Sequence, residues 1–223
     1  MNELKLSRLI DILSMQAQSF HVHEQIDIAE AVLEILKSQD ISVTCTRDTS
    51  SNYYITKRTT NAEHIPAVVA HLDQVHKYYE DYQIHQRGDI LFATTLSHNK
   101  KGIVQVGTGG DDLVGVWVAL EALIELPDVK VVLFQDEEIG CVGSGQFDVK
   151  FFEDCSFILQ ADRRGDTKDW ITFTNGVKVQ TKSFNKAAKN IYHKYGYSAN
   201  SGSITDVGKL VINGAGCLSL IHI

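Results

Sequence analysis

Three short, largely apolar stretches govern what this chain can become, because an imidazole or an acid follows closely on each. Pro66 to Ala70 ends at His71 with Asp73 just beyond, Val131 to Phe134 runs into Asp136, Glu137 and Glu138, and Cys155 to Leu159 leads to Asp162. A continuous apolar run suits a strand covered by helices on both faces, whereas a half-exposed strand alternates. Helical spacing fills the intervals. Leu6, Leu9, Ile10 and Leu13, then Ala29, Val32, Leu33 and Leu36, form two amphipathic patterns before the first strand. Another pattern starts after Gly109 and Gly110, with Asp111 and Asp112 at capping positions, and continues through Val114, Trp117, Val118, Ala122 and Leu123. Phe184, Ala187, Ala188, Ile191 and Tyr192 mark a late helix, and Val207, Leu210 and Val211 a short one.

This alternation predicts an α/β protein: a three-layer sandwich whose mixed, mostly parallel central sheet carries helices on both faces. Ile41 to Thr46 alternates and Tyr53 to Thr56 is β-prone, which places both at an antiparallel edge. With 223 residues, 43% of them apolar, the chain suits one core, and residues 1–223 are read as a single domain without internal repeats. In open α/β sheets, ligands bind beyond the carboxyl ends of the strands. His71, Asp73, Glu137, Glu138 and Asp162 all fall at such ends, and the glycine-flanked Asp111 can reach the same edge.

Composition narrows the partners. A net charge of −7 argues against a surface built to neutralise phosphates, so no nucleic acid is expected. No apolar run approaches the roughly 20 residues needed to span a bilayer, so no membrane is expected either. Met1 to Ser7 lacks the parts of a signal peptide. Cys45, Cys141, Cys155 and Cys217 lie far apart, mostly within apolar stretches, and read as reduced buried thiols. The expected location is the cytoplasm. Gly107, Gly109 and Gly110 evoke a phosphate loop, but no Gly-Lys-Ser/Thr follows, which excludes a nucleotide site of that kind.

Carboxylates gathered in one place repel one another and lose hydration. No lysine or arginine lies in the four segments before Arg163 and Arg164, so a divalent metal is the simplest counterion. A histidine and carboxylate set without cysteine favours zinc, with manganese or cobalt as alternatives, in an open catalytic site rather than a closed structural one. Each group also has a plainer reading. Alone, His71 with Asp73 is a hydrogen-bonded core pair, the acidic triplet is a solvated turn, Asp111 and Asp112 are caps, and Thr205 with Asp206 is a helix N-cap. Arg163 and Arg164 either clamp a substrate carboxylate or balance the acids. His21 and His23 precede a helix beginning near Glu24 and take a cap or loop role. His64, His76, His85, His98 and His193 show no metal-type spacing and are assigned to the surface.

Taken together, the motifs resemble those of the co-catalytic zinc exopeptidases. His71, Leu72 and Asp73 are similar to the His-x-Asp motif of that superfamily, and Gly110, Asp111 and Asp112, with Gly115 after them, to its bridging-aspartate turn. Asp136 to Gly140 resembles the Asp-Glu-Glu-x-Gly motif of tripeptidase T, and Ala161, Asp162 and Arg163 stand where the next metal-binding aspartate belongs. Order and spacing agree over residues 71 to 162, with a weaker match reaching Thr205 and Asp206.

The resemblance implies two zinc ions per chain, His71 and Asp162 binding one, Glu138 the other, and Asp111 bridging. Asp73 would fix the His71 tautomer. Glu137 would be the general base, taking a proton from a metal-bridging water and returning it to the leaving amine. The implied activity is hydrolysis of small peptides by an aminopeptidase- or tripeptidase-type exopeptidase. An N-acyl amino acid amidohydrolase, or a non-catalytic metal- or peptide-binding module, stands as the alternative. Such peptidases place a last histidine on the second metal after the final core strand. Here His222 alone follows, inside the terminal apolar run, so an altered or shortened C-terminus and an incomplete second site are expected. The stretch from Asp162 to Asp206 is too short for the usual lid and dimerisation insert of roughly 100 residues. A single-domain form and a monomer are therefore expected.

Overall fold

The computed structural model describes residues 1–97, 102–162, 168–174, 176–202 and 205–215; His98, Arg163, Arg164, Cys217 and His222 lie outside them. Two helices, α1 (Glu3–Leu13) and α2 (Val22–Ser38), precede the antiparallel pair β1 (Thr44–Arg47) and β2 (Tyr53–Arg58). Then come β3 (Ile65–His71), a three-stranded meander of β4 (Gln83–Arg87), β5 (Ile90–Ser97) and β6 (Gly102–Val106), helix α3 (Gly110–Glu125) and β7 (Asp128–Phe134). Two 3-10 turns lead to β8 (Cys155–Gln160), followed by β9 (Asp169–Thr174), β10 (Val177–Lys178), α4 (Lys182–Lys194), β11 (Ser198–Gly202) and α5 (Asp206–Ile212).

The central sheet runs β1-β2-β7-β3-β8. Its inner half is parallel, β3 lying between β7 and β8, and its outer half is antiparallel through β2 and β1. Side chains alternate between two cores, as a pleated strand requires. Val68 and Ala70 of β3, with Val129, Val131 and Leu133 of β7, pack under α1, α2 and α3. Ala67 and Val69, with Val132 and Phe134, face the opposite layer, where Val207 and Leu210 of α5 cover them. All seven residues of β7 are buried, which explains the continuous apolar run Val131–Phe134. The predicted α/β sandwich is the observed architecture.

Two features depart from the sequence reading. All of β1 is exposed, so Cys45 is an exposed thiol rather than a buried one, because an edge strand of the sheet has no helix over it. The small sheets β4-β5-β6 and β10-β9-β11 also went unread. Gln83–Arg87 and Ser198–Gly202 are polar and largely exposed, and backbone pairing with β5 and β9 holds them where side-chain periodicity offers no signal. Among the described residues, no helix is long and apolar enough to cross a membrane.

Helix α1 is tied to α3 by a buried fork. Arg8 Nε and Nη2 donate to the two carboxylate oxygens of Glu121 at 2.6 and 2.8 Å, with Arg8 6% and Glu121 7% exposed. Replacing Arg8 with methionine strands the Glu121 charge in the core. We expect a loss of about 3–5 kcal/mol, read as a lower urea midpoint, with the double variant Arg8→Met, Glu121→Leu recovering most of it. A single variant as stable as the wild type would show that the pair carries no such penalty.

Candidate metal centre

The site is assembled at the carboxyl ends of β3, β7 and β8 and at the start of α3. In the parallel register His71 sits opposite Phe134, and the Leu72 N–H donates to the Phe134 carbonyl at 2.9 Å, so the two strands end level. Asp73 then stitches the ends together. Its carboxylate accepts from the Glu137 and Glu138 N–H groups at 2.8 and 3.2 Å and from the Ser19 hydroxyl at 2.6 Å. His71 Nδ1 lies 3.0 Å from the Asp73 carbonyl and 3.3 Å from its carboxylate. Those contacts turn the other ring nitrogen, Nε2, toward Asp111 Oδ1 at 3.2 Å.

Asp111 and Asp112 divide the two roles that sequence alone left open. Asp112 is buried, and its carboxylate accepts from the His71 N–H and the Gly115 N–H, both at 3.1 Å, so it is the cap that locks α3 onto β3. The Asp111 side chain stays 66% exposed at the mouth of the site. The peptide between the two aspartates is cis. Gly109 makes the preceding turn at φ +64°, where a Cβ would stand 2.6 Å from the Gln74 side chain.

Donor atoms of His71, Asp111 and Glu138 all lie within 4.8 Å of one another. Asp162, two residues beyond β8, stands outside that trio, although its carboxyl and that of Asp111 act on one another. Among the described residues, no lysine or arginine forms an ion pair with any of these acids. Burial, reinforced by neighbouring acids and opposed by His71, pushes Glu138 and Asp162 each up to about 7. Burial raises Glu137 as well. Burial works against a charged His71, yet the hydrogen bonds to Asp111 and Asp73 raise its pKa well above the ordinary value. The His71 bond is the main cause holding Asp111 low. Excess acid drawing a proton onto imidazole is the electrostatic signature of a place that takes a cation. One imidazole and three carboxyls are also the donor chemistry of zinc or manganese.

Several residues shape the site in ways that local sequence pattern did not disclose. Asp136 accepts from the Phe20 N–H and from Gln25 Nε2, both at 2.8 Å, anchoring the acidic turn to α2. Gln160 donates to Asp162 at 2.8 Å and accepts from the Val207 N–H at 3.0 Å, linking β8 to α5. Thr205 takes the N-cap position of α5, as read from sequence, and Asp206 after it is fully buried, where the Glu137 charge is the neighbour that acts on it most strongly. Cys141 donates to Glu137 Oε1 at 3.3 Å. His21 occupies the cap position of α2, as read from sequence, with Nδ1 3.1 Å from Glu24.

No protein-family profile and no curated protein sequence matches the chain. Solved structures do. An aminopeptidase from the archaeon Desulfurococcus kamchatkensis superposes with a TM-score of 0.66 at 16% identity, over 99% of this chain and 86% of that one. The TET1 peptidase of Pyrococcus horikoshii, which can assemble into a tetrahedron or a large octahedral shell, gives 0.62 at 12% identity over 99% and 90%. A tripeptidase from Staphylococcus aureus gives 0.53 at 18% identity, over 77% of this chain and 46% of its own. The chain thus spans less than half the length of that tripeptidase. The fold is the one these aminopeptidase structures share.

Proposed function

We propose that this chain is a metal-dependent hydrolase of peptide bonds, an exopeptidase of aminopeptidase or tripeptidase type acting on small peptides. One observation carries the reading: donor atoms from residues 71, 111 and 138, remote in sequence, converge within 4.8 Å at one sheet edge. The peptidases that share the fold support it.

His71, Asp111, Glu138 and Asp162 are the residues that would hold zinc, Asp111 in the role that the family resemblance gives to a bridging aspartate. A divalent pair supplies a water of lowered pKa and a Lewis-acid contact for the scissile carbonyl. The chain's own residues do the rest. Asp73 orients the His71 ring and fixes the backbone of both glutamates. Glu137, its pKa raised by burial toward the working range, takes the proton from the attacking water and delivers it to the amine nitrogen as the C–N bond breaks. Arg163 and Arg164 are placed by sequence beside Asp162, to meet a substrate carboxylate or to offset the acids. We assign the enzyme to the cytoplasm and, lacking the long insert, to a monomeric state.

The test pairs zinc titration by calorimetry with hydrolysis of alanyl-anilide and of a tripeptide. We expect zinc to bind at the site and chelation to abolish turnover. Turnover indifferent to chelation, or failure of zinc to bind, would overturn the proposal.

A further inference from the structure

The turn that follows Glu137 folds back on it. The Gly140 and Cys141 N–H groups both donate to the Glu137 carbonyl, at 2.9 and 2.7 Å, and Cys141 adopts φ +58°, a left-handed conformation uncommon outside glycine. The result brings the Cys141 thiol, 1% exposed, to 3.3 Å from Glu137 Oε1. Being buried beside two acids, the thiol keeps its proton far above its ordinary pKa and acts as a donor. Beneath the same turn lies Asp206, 0% exposed, with no hydrogen-bond partner for either carboxyl oxygen among the described residues. Ser144, on the 3-10 turn Ser144–Gln146 after Cys141, is the hydroxyl that acts on Asp206, but it completes no bond of good geometry and donates instead to the Cys141 carbonyl at 3.5 Å. An unpaired acid in a core is costly, and an apolar residue of similar shape would pack there without that cost. Its retention needs a role.

We propose that Cys141 is a positioning residue for Glu137, its thiol holding Oε1 so that Oε2 is left for the reacting water, with Asp206 as the second polar group of the same buried pocket. This rests on the peptidase reading of Glu137. A hydrogen bond to a charged acceptor removed by Cys141→Ala should lower kcat by roughly tenfold with KM unchanged, and Cys141→Ser, which keeps a hydroxyl donor, should recover most of it.

The second readout is independent of metal and turnover. In the metal-free protein, the infrared S–H stretch of Cys141, assigned by its disappearance in Cys141→Ser, is expected at the low frequency of a hydrogen-bonded thiol. It should move up in Glu137→Gln, whose amide oxygen is a weaker acceptor, and shift again in Asp206→Asn. A band indifferent to both substitutions, or Cys141→Ala turning over like the wild type, overturns the inference. A zinc-loaded wild type that hydrolyses no peptide, while the band responds, sinks the peptidase reading and leaves the thiol contact standing.

Discussion

Glu137→Gln is expected to lower kcat by roughly 10²- to 10⁴-fold, the range typical of a lost general base, with zinc content unchanged. The substitution preserves shape and removes only the ability to accept a proton. The bond from Asp73 reaches the Glu137 backbone N–H, so the turn and the neighbouring Glu138 keep their places. Cys141 still finds an oxygen to donate to. Loss of rate with metal retained therefore isolates proton transfer from architecture. The check is kcat on alanyl-anilide beside metal analysis of the same sample. A variant within a few-fold of wild type would remove Glu137 from the chemistry.

His71→Ala should weaken zinc binding by more than the roughly 10- to 100-fold that loss of a mere supporting partner costs, since it deletes a donor and leaves its acids unbalanced. Metal and stability are linked here through protons. Glu138 and Asp162, each near 7 in the folded metal-free chain, sit near 4 when unfolded, so the folded state binds more protons between those values. Through these two groups, stability of the metal-free chain should then fall as pH rises from about 4 to 7. His71 has the same sign: raised above its unfolded value, it contributes stability below about 6.5 that is lost as pH climbs through its folded pKa. Asp73 and Asp111, held low, act in the opposite sense only in more acid solution. Zinc requires the ionised carboxylates, so its stabilising effect should grow across the same window, reaching about 2.7 kcal/mol at a hundred times Kd. Melting curves from pH 5 to 8, with and without zinc, read this directly. A metal-free chain that grows steadily more stable toward pH 8 would contradict the acid cluster.

Much of the fold was legible because its central strands are extreme. β3 and β7 are covered on both faces, so Pro66–Ala70 and Val131–Phe134 are apolar throughout, and the polar residues that follow them mark the strand ends. The same logic singled out His71, Glu137, Glu138 and Asp162 as residues at strand ends. It failed for β4 and β11, where neither face is buried and no period appears.

Local pattern also could not tell Asp111 from Asp112. Both suit a cap, and only the approach of the β3 backbone decides that Asp112 accepts the His71 N–H, leaving Asp111 at the mouth. It marked Asp206 as part of a cap but not its place behind Glu137, which depends on what lies across the fold, and it missed the thiol of Cys141, which a left-handed turn folds back onto Glu137. By itself the sequence determined which strands are buried and what chemistry stands at their ends, because burial and period act over a few neighbouring residues. The tertiary structure alone decided which acids meet and which one caps, because those contacts join segments forty or more positions apart, as His71 and Asp112 are at 41.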